Sequence, residues 1–306
     1  MPSIQLSDGQ RLHYHDLAPN RRYRDRSTPP LVLLHGFGMQ AAWWRPLLAG
    51  LQLRQRVILP DLRGFGASHD SRYSSQDVIS QSADDLESLL ATLKLERVAL
   101  AGLSMGACVS MRYFGRHGTH RIDRYLNIDQ APRVTNRDDW RWGLFGESQG
   151  ARYGQFRELL AQIDSAGRPT DYRALPRHLR RSLERSFAEF FSDAFESRSH
   201  RLSMLLGLGL PVLSQQVLPR RNWHAYLDCM SAYTRENYDF SDGVAQLDAP
   251  VTAMIGLRSR LYPAPGQYMF ASLAPQTRFV EFHGAGHALP FEQPVRFRRE
   301  LQRFLS

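Results

Sequence analysis

Residues 3–16 alternate apolar and polar positions around a turn at Asp8-Gly9, the pattern of a β-hairpin. A polar stretch at 18–29 reads as a loop. Beyond it the pattern changes to short, wholly apolar runs separated by segments with helical spacing. Strands are predicted at 31–34, 56–59, 98–101 and 125–128, and helices at 41–51, 75–95 and 104–117. In the helix at 75–95, Val78, Ile79, Leu86, Leu89, Leu90 and Leu93 recur at the spacing that lines one side of a helix. Strands apolar on both faces and separated by helices belong to a parallel sheet covered on both sides.

That rhythm stops near Ala131 and resumes at Pro250. Strands follow at 251–255 and 278–282, with a helix near 266–273 and a last helix at 293–305. The residues in between have helical character and many aromatics, among them Trp140, Trp142, Phe145, Phe187, Phe190 and Phe191. No run among them reads as a buried strand. The expectation is a core domain built from residues 1–132 and 248–306, with a helical cap at 133–247 inserted into it.

The length of 306 residues suits one such domain with its insertion, and a hydrophobic content of 42% places it among globular proteins. The formal net charge is +9, and Lys94 is the single lysine among 39 basic residues. The arginines are scattered apart from a clump at Arg21, Arg22, Arg24 and Arg26. A solvated basic surface accounts for this, and charge alone gives no ground for a nucleic-acid partner. Cys108 and Cys229 are too few for a disulfide framework, so free thiols are expected. The N-terminal residues lack the charged and apolar regions of a secretory signal, and the expected location is cytoplasmic. The longest uncharged apolar stretch, 202–218, is broken by Gly207, Gly209 and Pro211, so stable membrane insertion is not expected.

Three local signals carry chemistry. Gly102-Leu103-Ser104-Met105-Gly106 lies between an apolar strand and a helix. There a serine can sit on a strained turn as a nucleophile, its neighbours stripped of side chains to relieve crowding. The bland alternative is a tight turn with an exposed serine. His35-Gly36-Phe37-Gly38 follows the strand at 31–34, where glycines let the backbone pass close to the serine. The N–H groups of Phe37 and Met105 are the candidates for stabilising an oxyanion, with His35 in a structural role. Gly284-Ala285-Gly286-His287 follows the last strand, and an imidazole on such a loop can act as base for the serine. His283 reads as a loop residue.

With Asp61-Leu62-Arg63-Gly64-Phe65-Gly66-Ala67-Ser68, these motifs resemble the α/β-hydrolase family, in its esterase and haloperoxidase-like branch. The resemblance covers the sheet domain and leaves the cap unmatched. It implies a mostly parallel eight-stranded sheet with helices on both faces and an inserted helical cap. It also implies structural roles for Asp61 and Arg63. The family's acid usually follows the strand before the histidine strand, in a G-x-x-D-x-x-x-P setting. Here that run is Gly256-Leu257-Arg258-Ser259-Arg260-Leu261-Tyr262-Pro263, with serine in the acid's place. Some branches carry the acid one strand earlier, where Asp129 stands. Asp239, Asp242, Asp248 or no acid at all remain alternatives.

The resulting expectation is a serine hydrolase for a small-molecule carboxylic ester or thioester with an apolar acyl group. Ser104, His287 and Asp129 form its triad, and neither cofactor nor metal is involved. Lactonase, amidase, carbon–carbon hydrolase and perhydrolase chemistry, or a non-catalytic ligand receptor on the same scaffold, are the rivals. The stretch 202–218 admits three readings: the cap's own core, a lid lining an acyl pocket, or a helix at a membrane surface flanked by Arg201 and Arg220. The sequence says nothing of oligomeric state.

Overall fold

Side chains alternate between the two faces of a strand, so a strand buried on both faces must be apolar throughout. The computed structural model, which describes residues 1–17, 28–51, 55–197 and 221–306, follows that rule. Its strands are β1 (Ser3–Gln5), β2 (Arg11–Leu17), β3 (Leu31–Leu34), β4 (Val57–Pro60), β5 (Val98–Leu103), β6 (Ile122–Ile128), β7 (Val251–Gly256) and β8 (Arg278–Phe282). They form one eight-stranded sheet in the order β1-β2-β4-β3-β5-β6-β7-β8. The pairs from β4 to β8 are parallel, and β2 joins both β1 and β4 antiparallel.

Alternate residues of the central strands enter two separate cores. Val32, Leu34, Ile58, Val98 and Leu100 pack with α1 (Val78–Thr92) and α2 (Met105–His117). Leu31, Leu33, Val57, Leu59, Ala99 and Ala101 face the other way, toward Phe297, Leu301 and Phe304 of the C-terminal helix, Pro294–Leu305. The sheet is thus covered on both faces.

Two predicted helices are broken into short turns. Residues 41–51 form a 3₁₀ turn, Ala41–Trp44, followed by further turns. Pro46 lacks an amide hydrogen and crowds Arg45, so a continuous helix cannot run through it. Residues 266–273 fall within two short helical turns, Ala264–Gln267 and Phe270–Leu273.

Between β6 and β7 the chain forms α3 (Gln149–Ser165), α4 (Arg177–Asp193) and α5 (Trp223–Arg235). Among the described residues this segment contributes no strand, only isolated bridges at Arg133–Asp239 and Arg137–Trp140. The apolar stretch 202–218, Arg201, Arg220 and the arginine clump at 21–26 lie outside the described residues. No helix among the described residues is long and apolar enough to cross a membrane.

The run from Asp61 to Ser68 is held by the side chains of Asp61 and Arg63. Asp61 accepts the amides of Ala41 at 2.7 Å and Ala67 at 3.0 Å. Arg63, whose side chain is 1% exposed, donates to both carboxylate oxygens of Asp85, at 2.9 and 2.7 Å, and to Asp8 at 2.6 Å. Burial raises the Asp85 carboxyl above its ordinary value, and the guanidinium opposes that rise. Removing the guanidinium strands a carboxylate in the core. Arg63→Ala is therefore expected to destabilise the protein by about 3–5 kcal/mol, measured from its urea midpoint. A loss below about 1 kcal/mol, the size of a surface pair, would refute a structural role for this contact.

Candidate active site

At the end of β5 the chain turns into α2 within one residue. That residue, Ser104, has φ 53° and ψ −120°, a region that residues other than glycine seldom occupy. The flanking glycines make the turn passable. A Cβ on Gly102 would lie 2.5 Å from the Ala107 nitrogen, and one on Gly106 would lie 2.7 Å from Leu34 Cβ. The Ser104 amide donates to the Ile128 carbonyl of β6 at 3.2 Å, which ties the turn to the neighbouring strand.

β3 delivers a second loop to the same place. His35 is fully buried, and the Leu62 amide donates to its Nε2 at 3.0 Å. The ring proton therefore sits on Nδ1, which donates to the Gly36 carbonyl at 2.8 Å. Burial lowers the His35 pKa and so favours this neutral form. Both ring nitrogens are taken up by backbone, leaving His35 a brace between two loops. By holding the Gly36 carbonyl it sets the plane of the peptide that carries the Phe37 N–H. Gly36 itself passes close by: a Cβ there would lie 3.4 Å from Ser104 Cβ. The Phe37 ring packs against Tyr226 and Phe190, with centroids 5.0 and 5.5 Å away. Met105, next to Ser104, opens α2, where first-turn amides have no carbonyl of their own helix to bond.

His287 stands on the loop after β8. Its Nδ1 lies 2.7 Å from Oδ2 of Asp129, which directly follows β6 with φ 49° and is completely buried. The same oxygen accepts the Ser259 hydroxyl at 2.6 Å. Asp129 Oδ1 accepts the Gly256 amide at 2.7 Å and Gln267 Nε2 at 3.0 Å. The serine at the expected acid position is thus a donor to the carboxylate that stands one strand away. A carboxylate only accepts, so the His287 proton lies on Nδ1 and Nε2 is left as the acceptor nitrogen. Gly256 is required for the approach, because a Cβ there would lie 2.1 Å from the Gly286 carbonyl oxygen.

The other aspartates lie elsewhere. Asp239 pairs with Arg133 at 3.0 Å and Arg137 at 3.3 Å, and Asp242 and Asp248 are exposed. His283 is also exposed, beside Glu281. Sequence reasoning missed Glu292 and Gln267. Glu292 accepts the Gly286 amide at 2.7 Å with one oxygen and the amides of Glu196 and Ser197 with the other, at 2.9 and 3.0 Å. It ties the His287 loop to the residues that follow α4. Two of its three partners, the Glu196 and Ser197 amides, are far away in the chain, and no local pattern marks such a bridge.

Ser104 lies between two cavities. One, of about 210 Å³, is lined by His287, Phe191, Phe195, Leu261 and Phe291. The other, of about 40 Å³, runs toward Tyr153, Phe156, Met230 and Tyr233. Phe37, Phe190 and Ser104 line both.

A family model described as the alpha/beta hydrolase fold matches residues 29–294. A pimeloyl-(acyl-carrier protein) methyl ester esterase from Aeromonas hydrophila subsp. hydrophila is 33% identical over 285 residues, covering 91% of this chain and 96% of that protein. A putative non-heme chloroperoxidase from Synechocystis sp. is 26% identical over 257 residues, covering 82% of this chain and 79% of that one. Among solved structures, an esterase from Exiguobacterium antarcticum has a TM-score of 0.75 at 20% identity, covering 99% of this chain and 98% of that chain, a likeness of fold. The family match spans the strands on both sides of the inserted helices, and the relative at one-third identity extends over nearly the whole chain, so this protein belongs to the alpha/beta hydrolase fold family.

Proposed function

We propose that the protein is a serine hydrolase that cleaves a carboxylic ester or thioester with an apolar acyl group through an acyl-enzyme. The observation that carries this reading is the Asp129–His287 contact of 2.7 Å, with His287 and Ser104 lining one cavity. Ser104 Oγ attacks the carbonyl carbon while His287 Nε2 takes its proton. The Phe37 and Met105 amides bind the oxyanion. The intermediate collapses as His287 returns the proton to the departing alcohol or thiol. Water, activated by the same base, then releases the acid. Asp129 keeps the imidazole in one tautomer, and its three further donors hold the carboxylate in place. With Asp129 on the imidazole, the serine at 259 gives no support to a non-catalytic receptor. Residues 133–247 act in this reading as a lid on a core of 1–132 and 248–306, since phenylalanines of α4 wall both cavities.

The base must reach the departing oxygen or sulfur, so the leaving group belongs in the His287 cavity and the acyl chain in the smaller one. Both are walled mainly by apolar side chains. On p-nitrophenyl esters, kcat/KM is expected to rise from acetyl toward medium acyl chains. The gain is up to roughly fourfold per methylene, from about 0.8 kcal/mol each, until the pocket is full. A fluorophosphonate should label Ser104. Absence of labelling, or a preference that falls steadily from acetyl upward, would contradict the proposal.

A further inference from the structure

We propose that the smaller cavity selects acyl chains bearing a neutral oxygen acceptor, a ketone or hydroxyl, which the Tyr153 hydroxyl binds. The inference rests on the reading above, which places the acyl chain there. The walls are apolar, with Leu144, Phe156, Phe187 and Met230 among them. Among the described residues, no charged side chain lines the cavity. Tyr153, on α3, is 5% exposed, yet its buried hydroxyl has no hydrogen-bond partner among the described residues. Buried hydroxyls are nearly always paired, because an unpaired one forfeits its hydration without compensation. Tyr233, which lines the same cavity, donates to Cys108 Sγ at 3.7 Å, a weak acceptor. Burial raises both phenols above their ordinary value, so each remains a protonated donor. An apolar pocket with such residues in its walls suits an uncharged acceptor. A carboxylate would enter it without a counter-charge.

The probe is a set of p-nitrophenyl esters of oxo acids whose ketone moves from the fourth to the sixth carbon, each beside its plain counterpart. At one ketone position kcat/KM should exceed that of the plain ester by about tenfold, the worth of a well-made hydrogen bond to a buried donor. Tyr153→Phe should abolish that preference, read within the variant as the ratio of kcat/KM for the ketone ester to that for its plain counterpart. Calorimetric Kd values for the matching methyl esters, measured on the Ser104→Ala protein, should show the same preference without turnover. A wild-type enzyme that treats every ketone as no better than its plain counterpart would overturn the proposal. So would a ketone preference that survives Tyr153→Phe. If no ester is turned over, the assignment of Ser104 fails, and the Kd ratio still decides the pocket.

Discussion

Ser104→Ala is expected to lower kcat by about 10⁴- to 10⁶-fold while the urea midpoint stays where it was. The loss is large because, in the proposed mechanism, the serine supplies the covalent step and the remaining groups cannot act as a unit without it. The fold should be spared because alanine keeps the Cβ and removes only an oxygen that the sheet does not use. The backbone at this position is held by the Ser104 amide on the Ile128 carbonyl and by the glycines on either side. Pre-steady-state kinetics with excess chromogenic ester would show both the acyl-enzyme burst in the wild type and its disappearance in the variant. A variant that keeps more than about a tenth of the activity would remove Ser104 from the mechanism.

Asp129→Asn should cost roughly 10³- to 10⁴-fold in kcat with little change in structure. The reason lies in the donors around the carboxylate. Gly256 and Gln267 both donate to Oδ1, so the asparagine carbonyl will take that side and its NH₂ will point toward Ser259 and His287. Ser259 can turn its hydroxyl and accept. His287 Nδ1 must then accept as well, which moves the ring proton to Nε2 and faces a donor toward Ser104. The base is thereby converted into the wrong tautomer. Ser259→Ala, which removes one donor and leaves the carboxylate in place, should cost far less. Adding Ser259→Asp to Asp129→Asn should recover part of the activity, because Ser259 Oγ already lies 2.6 Å from the oxygen that holds the imidazole. The pH dependence of kcat/KM, compared across these proteins, reads the base directly. If Asp129→Asn loses less than about tenfold, another group orients His287.

Much of the site is legible in the chain because its demands are local. Gly102 and Gly106 bracket Ser104 since any side chain there would strike backbone or Leu34, and that requirement falls on consecutive residues. The His35-Gly36-Phe37 and Gly286-His287 runs are legible for the same reason. Glu292 and Gln267 leave no such trace, since each joins a nearby backbone group to one about a hundred residues away or more. The error at 41–51 has a local cause that the apolar pattern hides. Helical spacing continues through Pro46, but the proline's missing donor and fixed ring do not permit the helix to follow it.

The sequence by itself determined the parallel sheet, through apolar runs that tolerate burial on both faces. It also determined the strand-end positions of Ser104, His287 and Asp129, because glycine placement and chain reversal are properties of neighbouring residues. Only the tertiary structure decided which carboxylate meets the imidazole. Asp129 and His287 are 158 positions apart, and they meet because parallel pairing of β6, β7 and β8 brings the carboxyl ends of those strands to one edge of the sheet. It likewise decided that Ser259 donates to Asp129, and that the Tyr153 hydroxyl is buried without a partner among the described residues beside a cavity Ser104 shares. A hydrogen bond between side chains depends on distances of a few tenths of an ångström, set by the packing of whole strands and helices against one another.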